Sequence, residues 1–408
     1  MATAVETKAP GAEREELISG SEAIAHVTRL ADVDVITAYP IRPYDTVMQY
    51  VSKMIASGDM DAEYIVAESE HSQFEIVKHA CAVGARVFAG SSGVGWFYAM
   101  EALAVTAGLR LPVVALVGNR ALDDPGAFGT EHNDALAVRD LGWLLCWVDT
   151  AQEALDMGLM AYRVAEDKRV FLPCAIAMDG AFLTHSQQIV KVPSQEKVKE
   201  FLPRYDRGEL LLHPDNPITI APQVNEDWLM EMRKQSDNGM RRAREVLLAA
   251  HEDFRRIFGR GEHPFHEEYM VDDAEVVLFG MGTLGLPVKV AIRRMREQGK
   301  RVGFVRLKWF RPFPAPEMQE LLGRFAAVGV VDRDYSLGSA NYAGVLYHEV
   351  RSVLYDAPRR PLVQGFIAGL GGREISIEDA MGMLDQVLES AEKGEVEKPI
   401  TWIGVRGE

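Results

Sequence analysis

Five short stretches of this sequence place carboxylates, arginines and small polar residues directly after apolar runs. In chain order their residues are Tyr39 and Arg42; Glu70; Ser92 and Gly93; Arg120 and Asp123; and Asp179. A positioned carboxylate can share or move a proton, and an arginine presents a planar fork of donors that grips a carboxylate. Glycine lets a backbone turn sharply and approach a ligand closely. Together these residue types indicate an anion-binding site with proton-transfer chemistry.

The elements around these stretches predict how they are brought together. Apolar, β-branched runs alternate with helical segments of about ten to fifteen residues, a pattern typical of βαβ units and a parallel sheet. Ligands of such sheets bind beyond the carboxyl ends of the strands. We therefore expect the five stretches to meet at one edge of a sheet.

The same alternation begins again near residue 271, which predicts an α/β fold class with two α/β domains and mainly parallel sheets. The expected organisation is a flexible N-terminal tail at 1–18, a first domain at 19–255, a linker at 256–270 and a second domain at 271–408. A chain of 408 residues is long enough for two or three ordinary domains.

Composition narrows the class of protein. The formal net charge is −16 and the sequence pI is about 5.2, which argues against a nucleic-acid surface. We find neither an apolar signal-peptide core nor an uninterrupted stretch able to span a bilayer, so we expect no membrane partner and a cytoplasmic location. The three cysteines form no C-x-x-C pair, so the chain is expected to bind no metal and no iron–sulfur cluster itself and to keep buried free thiols.

Each local motif also has a plain structural interpretation. Ser69 or Glu70 could simply cap the helix that begins there, and GSSGVGW could be only a tight strand-to-helix turn. The loop at 119–143 is longer than most loops of compact domains, which favours a functional role. GMGTLG at 280–285 resembles a phosphate-binding turn, but the next strand does not end in an acidic residue, so a nucleotide-dependent dehydrogenase is not supported.

Several motifs taken together resemble one family, the alpha subunits of the thiamine-diphosphate-dependent 2-oxo acid:acceptor oxidoreductases (the pyruvate:ferredoxin oxidoreductase superfamily). The motifs that carry the resemblance are YPIRP, ESEHS, GARVFAGSSGVG, AGLRLPVVALVGNRAL, VRDLGW, EDKRVFLP, FRPFP and GLGG. The match covers nearly all of the chain after residue 18. It implies a pyrimidine-type thiamine-diphosphate-binding domain followed by a transketolase C-terminal-like domain, and the oxidative decarboxylation of a 2-oxo acid.

The resemblance also implies roles for individual residues. Glu70 matches the glutamate that hydrogen-bonds N1′ of the cofactor's aminopyrimidine. The implied cofactor-binding residues are Tyr39, Pro40, Ile41, Glu70, Ser92 and Gly93. The implied catalytic residues are Glu70, Arg42, Arg120 and Asp123, and the implied substrate contacts are Arg42, Arg120 and Phe128.

The diphosphate half of the implied cofactor site is missing from this chain, because the sequence contains no GDG motif. The resemblance therefore implies a beta subunit that carries the thiamine diphosphate and Mg²⁺ motif. It also implies gamma/delta-type subunits, iron–sulfur subunits with 4Fe–4S clusters, and coenzyme A as a co-substrate. The chain alone is then expected to be inactive.

Arg42 bears on the substrate, since the pyruvate enzymes of this family have threonine at that position. An arginine there favours a second grip on a substrate carboxylate, and the alternative is a salt bridge to Asp45 or Asp123. YPIRP, LDxPGxFG and the C-terminal WIG look most like oxalate oxidoreductase. Ala127 in place of an acid, and the aromatic run at 96–98, favour instead an aryl 2-oxo acid such as phenylglyoxylate, unless those aromatic rings belong to the core.

The aryl acid is the preferred substrate class, oxalate is the alternative, and pyruvate is less favoured. A protein of another class, a non-catalytic scaffold that only organises redox partners, would not need Glu70, Arg42 and Arg120. Replacement of Glu70 separates the two hypotheses.

Overall fold

The computed structural model of the protein describes residues 13–123, 125–261 and 263–407. Its strands are β1 (Arg14–Ser19), β2 (Val35–Ala38), β3 (Glu63–Val66), β4 (Val87–Ser91), β5 (Val114–Asn119), β6 (Leu144–Val148), β7 (Cys174–Asp179), β8 (Gln187–Val192), β9 (His266–Tyr269), β10 (Val276–Gly280), β11 (Val302–Leu307), β12 (Trp309–Arg311), β13 (Ala327–Asp332), β14 (Leu362–Ile367) and β15 (Ile400–Trp402). Its helices are α1 (Gly20–Leu30), α2 (Asp45–Ser57), α3 (Glu70–Ala82), α4 (Gly93–Tyr98), α5 (Met100–Gly108), α6 (Asn133–Ala137), α7 (Ala151–Ala165), α8 (Gln195–Phe201), α9 (Asn225–Phe258), α10 (Gly285–Glu297), α11 (Ala315–Leu322), α12 (Val345–Tyr355) and α13 (Ile377–Lys393).

The first large sheet has the strand order β12-β6-β7-β5-β4-β2-β3. All its neighbouring strands are parallel except β12, which runs antiparallel to β6. Every residue of β4, β5, β6 and β7 is buried. Continuous apolar strands are typical of parallel sheets covered on both faces.

The second large sheet has the order β15-β14-β13-β10-β11-β9. Its strands are parallel apart from β9, which pairs antiparallel with β11. Helices α10 and α13 pack against this sheet and against each other. The predicted fold class, two α/β domains with mainly parallel sheets, is therefore confirmed.

Two segments depart from the sequence-based organisation. Residues 14–18, expected in a flexible tail, belong to β1, which pairs antiparallel with β8 and leads directly into α1. Strand β9 lies inside the expected linker at 256–270 and joins the second sheet. Both strands carry charged residues instead of apolar runs, and β1 pairs with a segment far along the chain, so local patterns gave no signal for either. The first twelve residues of the expected tail lie outside the described part of the chain.

Strand β12 connects the two sheets directly. The chain leaves β11 in the second sheet, passes Lys308, and adds Trp309 beside Cys146 of β6 in the first sheet. Trp309 and Cys146 are both buried. The last strand of the first sheet, β12, therefore follows β9, β10 and β11 of the second sheet in the sequence.

Asp179 forms a second connection between the sheets, at the carboxyl end of β7. It is fully buried and accepts hydrogen bonds from His132 (2.8 Å), Arg333 (2.9 Å) and the Thr283 hydroxyl (2.6 Å). Burial alone would raise the pKa of this carboxyl, but His132 and Arg333 hold the pKa well below its usual range. Gly282 approaches Asp179 with a φ of 64°, so the GMGTLG turn packs on a protein carboxylate.

The cysteines agree with the sequence-based expectation: Cys81, Cys146 and Cys174 are free and buried. Across the described ranges, no helix combines the length and apolar character that crossing a bilayer requires. In the same ranges we find no group of three or more His, Cys, Asp or Glu side chains arranged to hold a metal ion.

Candidate functional site

The predicted site lies where the central strands of the first sheet end. A Cβ atom placed on Gly118 would be 2.8 Å from the Ser92 hydroxyl and 3.0 Å from Pro43. The loops that follow β2 and β4 therefore touch the end of β5 at this point. The structure brings these three strand ends together at one edge, as expected for parallel strands.

Glu70 is the first residue of α3 and is only 7% exposed. The cap of this helix is Ser69, whose hydroxyl accepts a hydrogen bond from the Ser72 backbone at 3.1 Å. The Glu70 carboxylate is free to point elsewhere, and a Cβ atom on Gly95 would overlap its Oε1 and come within 2.7 Å of Ile41. Glu70 and Ile41 thus lie close to Gly95, and a larger residue at position 95 would collide with both.

The buried polar atoms at these strand ends that have no hydrogen-bond partner among the described residues include Ser92 Oγ, Asn119 Oδ1 and Arg120 Nε. Buried polar groups nearly always have partners, so such a cluster is typical of a ligand-binding surface. A carboxylate, a hydroxyl and a carboxamide at one sheet edge suit a flat ring with a polar edge. The residues present therefore fit the aminopyrimidine half of thiamine diphosphate.

Arg120 is 6% exposed and connects several of the predicted residues. Its guanidinium contacts the Asp123 carboxylate at 2.5 Å and donates to the Arg42 carbonyl at 3.2 Å. The Phe128 ring lies 5.2 Å from the guanidinium and is 69% exposed. The structure thus brings Arg120, Asp123 and Phe128 together.

Arg42 contacts this group through its backbone carbonyl, which accepts a hydrogen bond from Arg120. Its guanidinium is 76% exposed, and Nε lies 3.9 Å from the carboxylate of Asp45, at the outer limit of an ion pair. Such an exposed pair contributes little, so the side chain is available for other contacts. Of the remaining predicted cofactor residues, Tyr39 is half-buried and Pro40 is exposed.

The aromatic run after the glycine turn divides between core and surface. Trp96 is fully buried and packs edge-on against Phe74 (5.3 Å between ring centroids) and Trp143 (5.6 Å). Phe97 is half-buried and Tyr98 is 62% exposed. The expectation of an aromatic wall is wrong for Trp96, because α4 turns this side chain into the core.

Sequence reasoning missed Asp134, which is completely buried on α6. Its Oδ2 accepts from the backbone of Gly93 and of Arg120, both at 3.0 Å. Its Oδ1 accepts from the Asn119 side chain at 2.7 Å and from the Ala135 backbone at 2.8 Å. Burial raises the pKa of Asp134 to about 6. An acid within a short helix after a long loop carries no distinctive sequence signal.

The long loop at 119–143 packs against the GLGG turn that follows β14. Gly372 donates its backbone N–H to the Thr130 carbonyl at 2.9 Å, and the backbones of Gly129 and Gly371 are in direct contact. Within the loop, the Ala121 N–H donates to the Gly129 carbonyl at 3.0 Å. The base of the segment that carries Asp123 and Phe128 is therefore fixed by the second half of the chain.

We expect Gly129→Ala to lower the free energy of unfolding by about 1–3 kcal/mol, since the added methyl group would overlap the Gly371 carbonyl. Thermal unfolding of the assembled protein measures this loss. Gly382→Ala is the control, because a Cβ atom there meets open space on α13 and should leave stability equal or slightly higher. Equal melting temperatures for Gly129→Ala and the unmodified protein would contradict the close packing.

Comparison with known proteins gives matches over most of the chain. Residues 26–251 match the family described as "Pyruvate flavodoxin/ferredoxin oxidoreductase, thiamine diP-bdg", and residues 274–380 match "Pyruvate:ferredoxin oxidoreductase core domain II". Pyruvate synthase subunit PorA of Pyrococcus horikoshii is 38% identical over 395 residues, covering 96% of this chain and 98% of the relative. Ketoisovalerate oxidoreductase subunit VorA of Pyrococcus abyssi is 34% identical over 388 residues, covering 95% and 97%.

Two solved structures share the fold. A 2-oxoglutarate:ferredoxin oxidoreductase from Magnetococcus marinus aligns with a TM-score of 0.70 and 16% identity, over 93% of this chain and 66% of that chain. A split-gene transketolase aligns with a TM-score of 0.55 and 12% identity, over 92% and 99%. At these identities the two structures support the fold alone.

Proposed function

Since the chain belongs to the pyruvate:ferredoxin oxidoreductase family as an alpha-type subunit of a 2-oxo acid oxidoreductase, we propose that it supplies half of a shared active site for oxidative decarboxylation. The observation that carries this proposal is the buried carboxylate of Glu70, which lies against Gly95 beside Ile41. The other half, with the diphosphate and Mg²⁺, belongs to a beta subunit, because this sequence contains no GDG motif.

Thiamine diphosphate, when bound, supplies the electron sink for carbon–carbon bond cleavage. Glu70 would hold a proton at N1′ of the aminopyrimidine, and Ser92 and Asn119 would donate to or accept from the ring edge. Burial strengthens these contacts, because little of the Glu70 side chain is exposed to water.

Arg120 would bind the carboxylate of the 2-oxo acid. Its guanidinium is held by Asp123 and by the Arg42 carbonyl, so it is oriented before a substrate arrives. Nε remains without a partner among the described residues and is available to a ligand. A bidentate grip of this kind fixes both the position and the plane of a carboxylate.

The preferred substrate in this proposal is an aryl 2-oxo acid such as phenylglyoxylate. The exposed Phe128 ring on the Arg120 guanidinium supports it, because an aromatic face stands beside the carboxylate-binding group. The acid and coenzyme A would give the acyl-CoA and CO2, with two electrons passed to 4Fe–4S clusters on partner subunits and one proton released.

Oxalate is the second candidate, favoured by the contact of the Arg120 guanidinium with the Arg42 backbone carbonyl, which leaves the exposed Arg42 side chain available as a second cation on the same loops. Two carboxylates on adjacent carbons would need two cations. Oxalate would give two CO2 and two electrons with no coenzyme A. We also propose that the chain assembles with gamma/delta-type and iron–sulfur subunits, and that the complex is cytoplasmic.

A substrate panel on the complex isolated with its native partners tests the proposal. Phenylglyoxylate, oxalate, pyruvate and ketoisovalerate would each be assayed with thiamine diphosphate and a viologen acceptor, with and without coenzyme A. We expect the highest kcat/KM for phenylglyoxylate with coenzyme A. Preferred, coenzyme-A-independent turnover of oxalate would overturn the aryl assignment, as would a preference for pyruvate or ketoisovalerate. Absence of turnover with every 2-oxo acid would overturn the catalytic proposal.

Arg42→Thr should lower kcat/KM for the preferred acid by about 10- to 100-fold, the loss expected for one charge-assisted hydrogen bond. Steady-state kinetics on the complex would measure it. Arg241→Thr is the control, because that guanidinium is equally exposed (72%) and lies on α9. An unchanged kcat/KM in Arg42→Thr would leave Arg42 with no role in substrate binding.

A further inference from the structure

We propose that Asp134 is a positioning residue that fixes the Ser92–Gly93 turn against Arg120 at the start of the active-site loops. The expected effect of Asp134 on substrate binding rests on the proposed function, whereas its hydrogen bonds do not depend on that function. Asp134 is completely buried and therefore acts through the residues that it holds.

The sheet itself does not fix this turn to Arg120. The register between β4 and β5 ends with the pair Ser91 and Val117. Beyond that pair, β4 and β5 continue into loops that carry different parts of the site. Asp134 Oδ2 accepts from the N–H groups of Gly93 and Arg120, so one atom joins the two loops where the ladder stops.

The geometry at this junction leaves little room for displacement. Gly93 has a φ of 52°, and a Cβ atom on it would be 3.1 Å from Arg120 Nε. The turn and the guanidinium are thus in contact, and a shift of either backbone would move the carboxylate-binding group. A displacement of about 1 Å is enough to impair a reacting geometry strongly.

Both carboxylate oxygens are fully used. Oδ1 accepts from the Asn119 side chain and the Ala135 backbone, while Oδ2 accepts from Gly93 and Arg120. Asp134→Ala removes both oxygens and leaves the N–H groups of Gly93 and Arg120 without their acceptor.

The same reasoning identifies a conservative variant that keeps the junction. In Asp134→Asn, the NH2 group can face Asn119, whose amide turns so that its oxygen accepts. The carbonyl oxygen at 134 then accepts from Gly93 and Arg120 and keeps both backbone hydrogen bonds. Only the hydrogen bond from the Ala135 backbone is lost.

The test compares Asp134→Ala, Asp134→Asn and an Asp140→Asn control in the assembled complex. Asp140 lies in the same segment, and its side chain is 73% exposed. We expect Asp134→Ala to raise KM for the 2-oxo acid about tenfold or more with a smaller fall in kcat, and Asp134→Asn to keep most of the native KM. Adding Asp134→Ala to an Arg120→Lys background should raise KM no further, because both changes act on one group.

Hydrogen exchange supplies a readout that does not depend on activity. The amides of Gly93 and Arg120 should exchange faster in Asp134→Ala and keep their protection in Asp134→Asn. If this holds while the complex turns over no 2-oxo acid, the proposed function fails and the positioning role stands. Unchanged KM and exchange in Asp134→Ala, or equal losses in Asp134→Asn and Asp134→Ala, would overturn the proposal. Failure of both variants to assemble would also overturn it, by making Asp134 a requirement of the fold.

Discussion

Glu70→Gln should lower turnover of the assembled enzyme by about 10²- to 10⁴-fold, the range for loss of a positioned proton-transfer group. Glutamine keeps the size of the side chain and one acceptor oxygen, but it carries no charge and takes no proton. Because Ser69, not Glu70, caps α3, the substitution should leave the helix in place. Turnover of the 2-oxo acid with a viologen acceptor measures the loss.

The matched control is Glu68→Gln, two residues earlier. Glu68 is exposed and only accepts a hydrogen bond from the Ser72 hydroxyl at 2.6 Å, so its loss should leave turnover unchanged. Cofactor content and thermal unfolding of both variants would separate lost chemistry from lost binding or folding. Full turnover in Glu70→Gln would favour the alternative of a non-catalytic scaffold.

Asp179→Ala should lower the free energy of unfolding by about 3–5 kcal/mol, because it leaves the buried guanidinium of Arg333 without its anion and His132 without its hydrogen-bond partner. Arg333 is 5% exposed and His132 is 1% exposed, so neither can turn to water. The same carboxylate accepts a hydrogen bond from the hydroxyl of Thr283, which lies in the second half of the chain. The variant should therefore loosen the contact between the two sheets as well as the end of β7.

Denaturant unfolding of the full chain at neutral pH measures this effect. Since the folded pKa of Asp179 is depressed, its contribution is present above the unfolded pKa of 3.8 and is lost as the pH falls further. The difference between Asp179→Ala and the unmodified chain should therefore shrink in acid. Asp237→Ala is the control: its carboxylate forms exposed pairs on α9, so we expect a change within about 0.5 kcal/mol. Equal losses in the two variants would refute the junction role.

The strands that end at the site could be predicted from sequence because each signal is local. Apolar runs such as VFAGS and VALVGN identify β4 and β5, and parallel strands bring their ends to one edge. This was enough to place Ser92, Gly93 and Arg120 near one another. Their roles with a cofactor and substrate stay predictions until the variants are measured.

The rest depends on contacts between distant residues. Three of the four donors to Asp134 lie 14 to 41 positions away, and no periodicity marks a buried acid that accepts four hydrogen bonds. Likewise, Trp96 follows a glycine turn that suggests exposure, but the packing of Phe74 and Trp143 draws it into the core. Position in the fold, not residue type, decides these cases.

Strand β12 has a consequence for the order of events during synthesis. Strand β6 is entirely apolar, and its outer edge is paired only when residues 309–311 arrive. A nascent chain that stops near residue 255 therefore exposes a hydrophobic strand edge, which is a template for pairing with other chains. The first sheet is completed only after residues 309–311 have left the ribosome, so we expect a gene divided between the two sheets to yield a first fragment that aggregates.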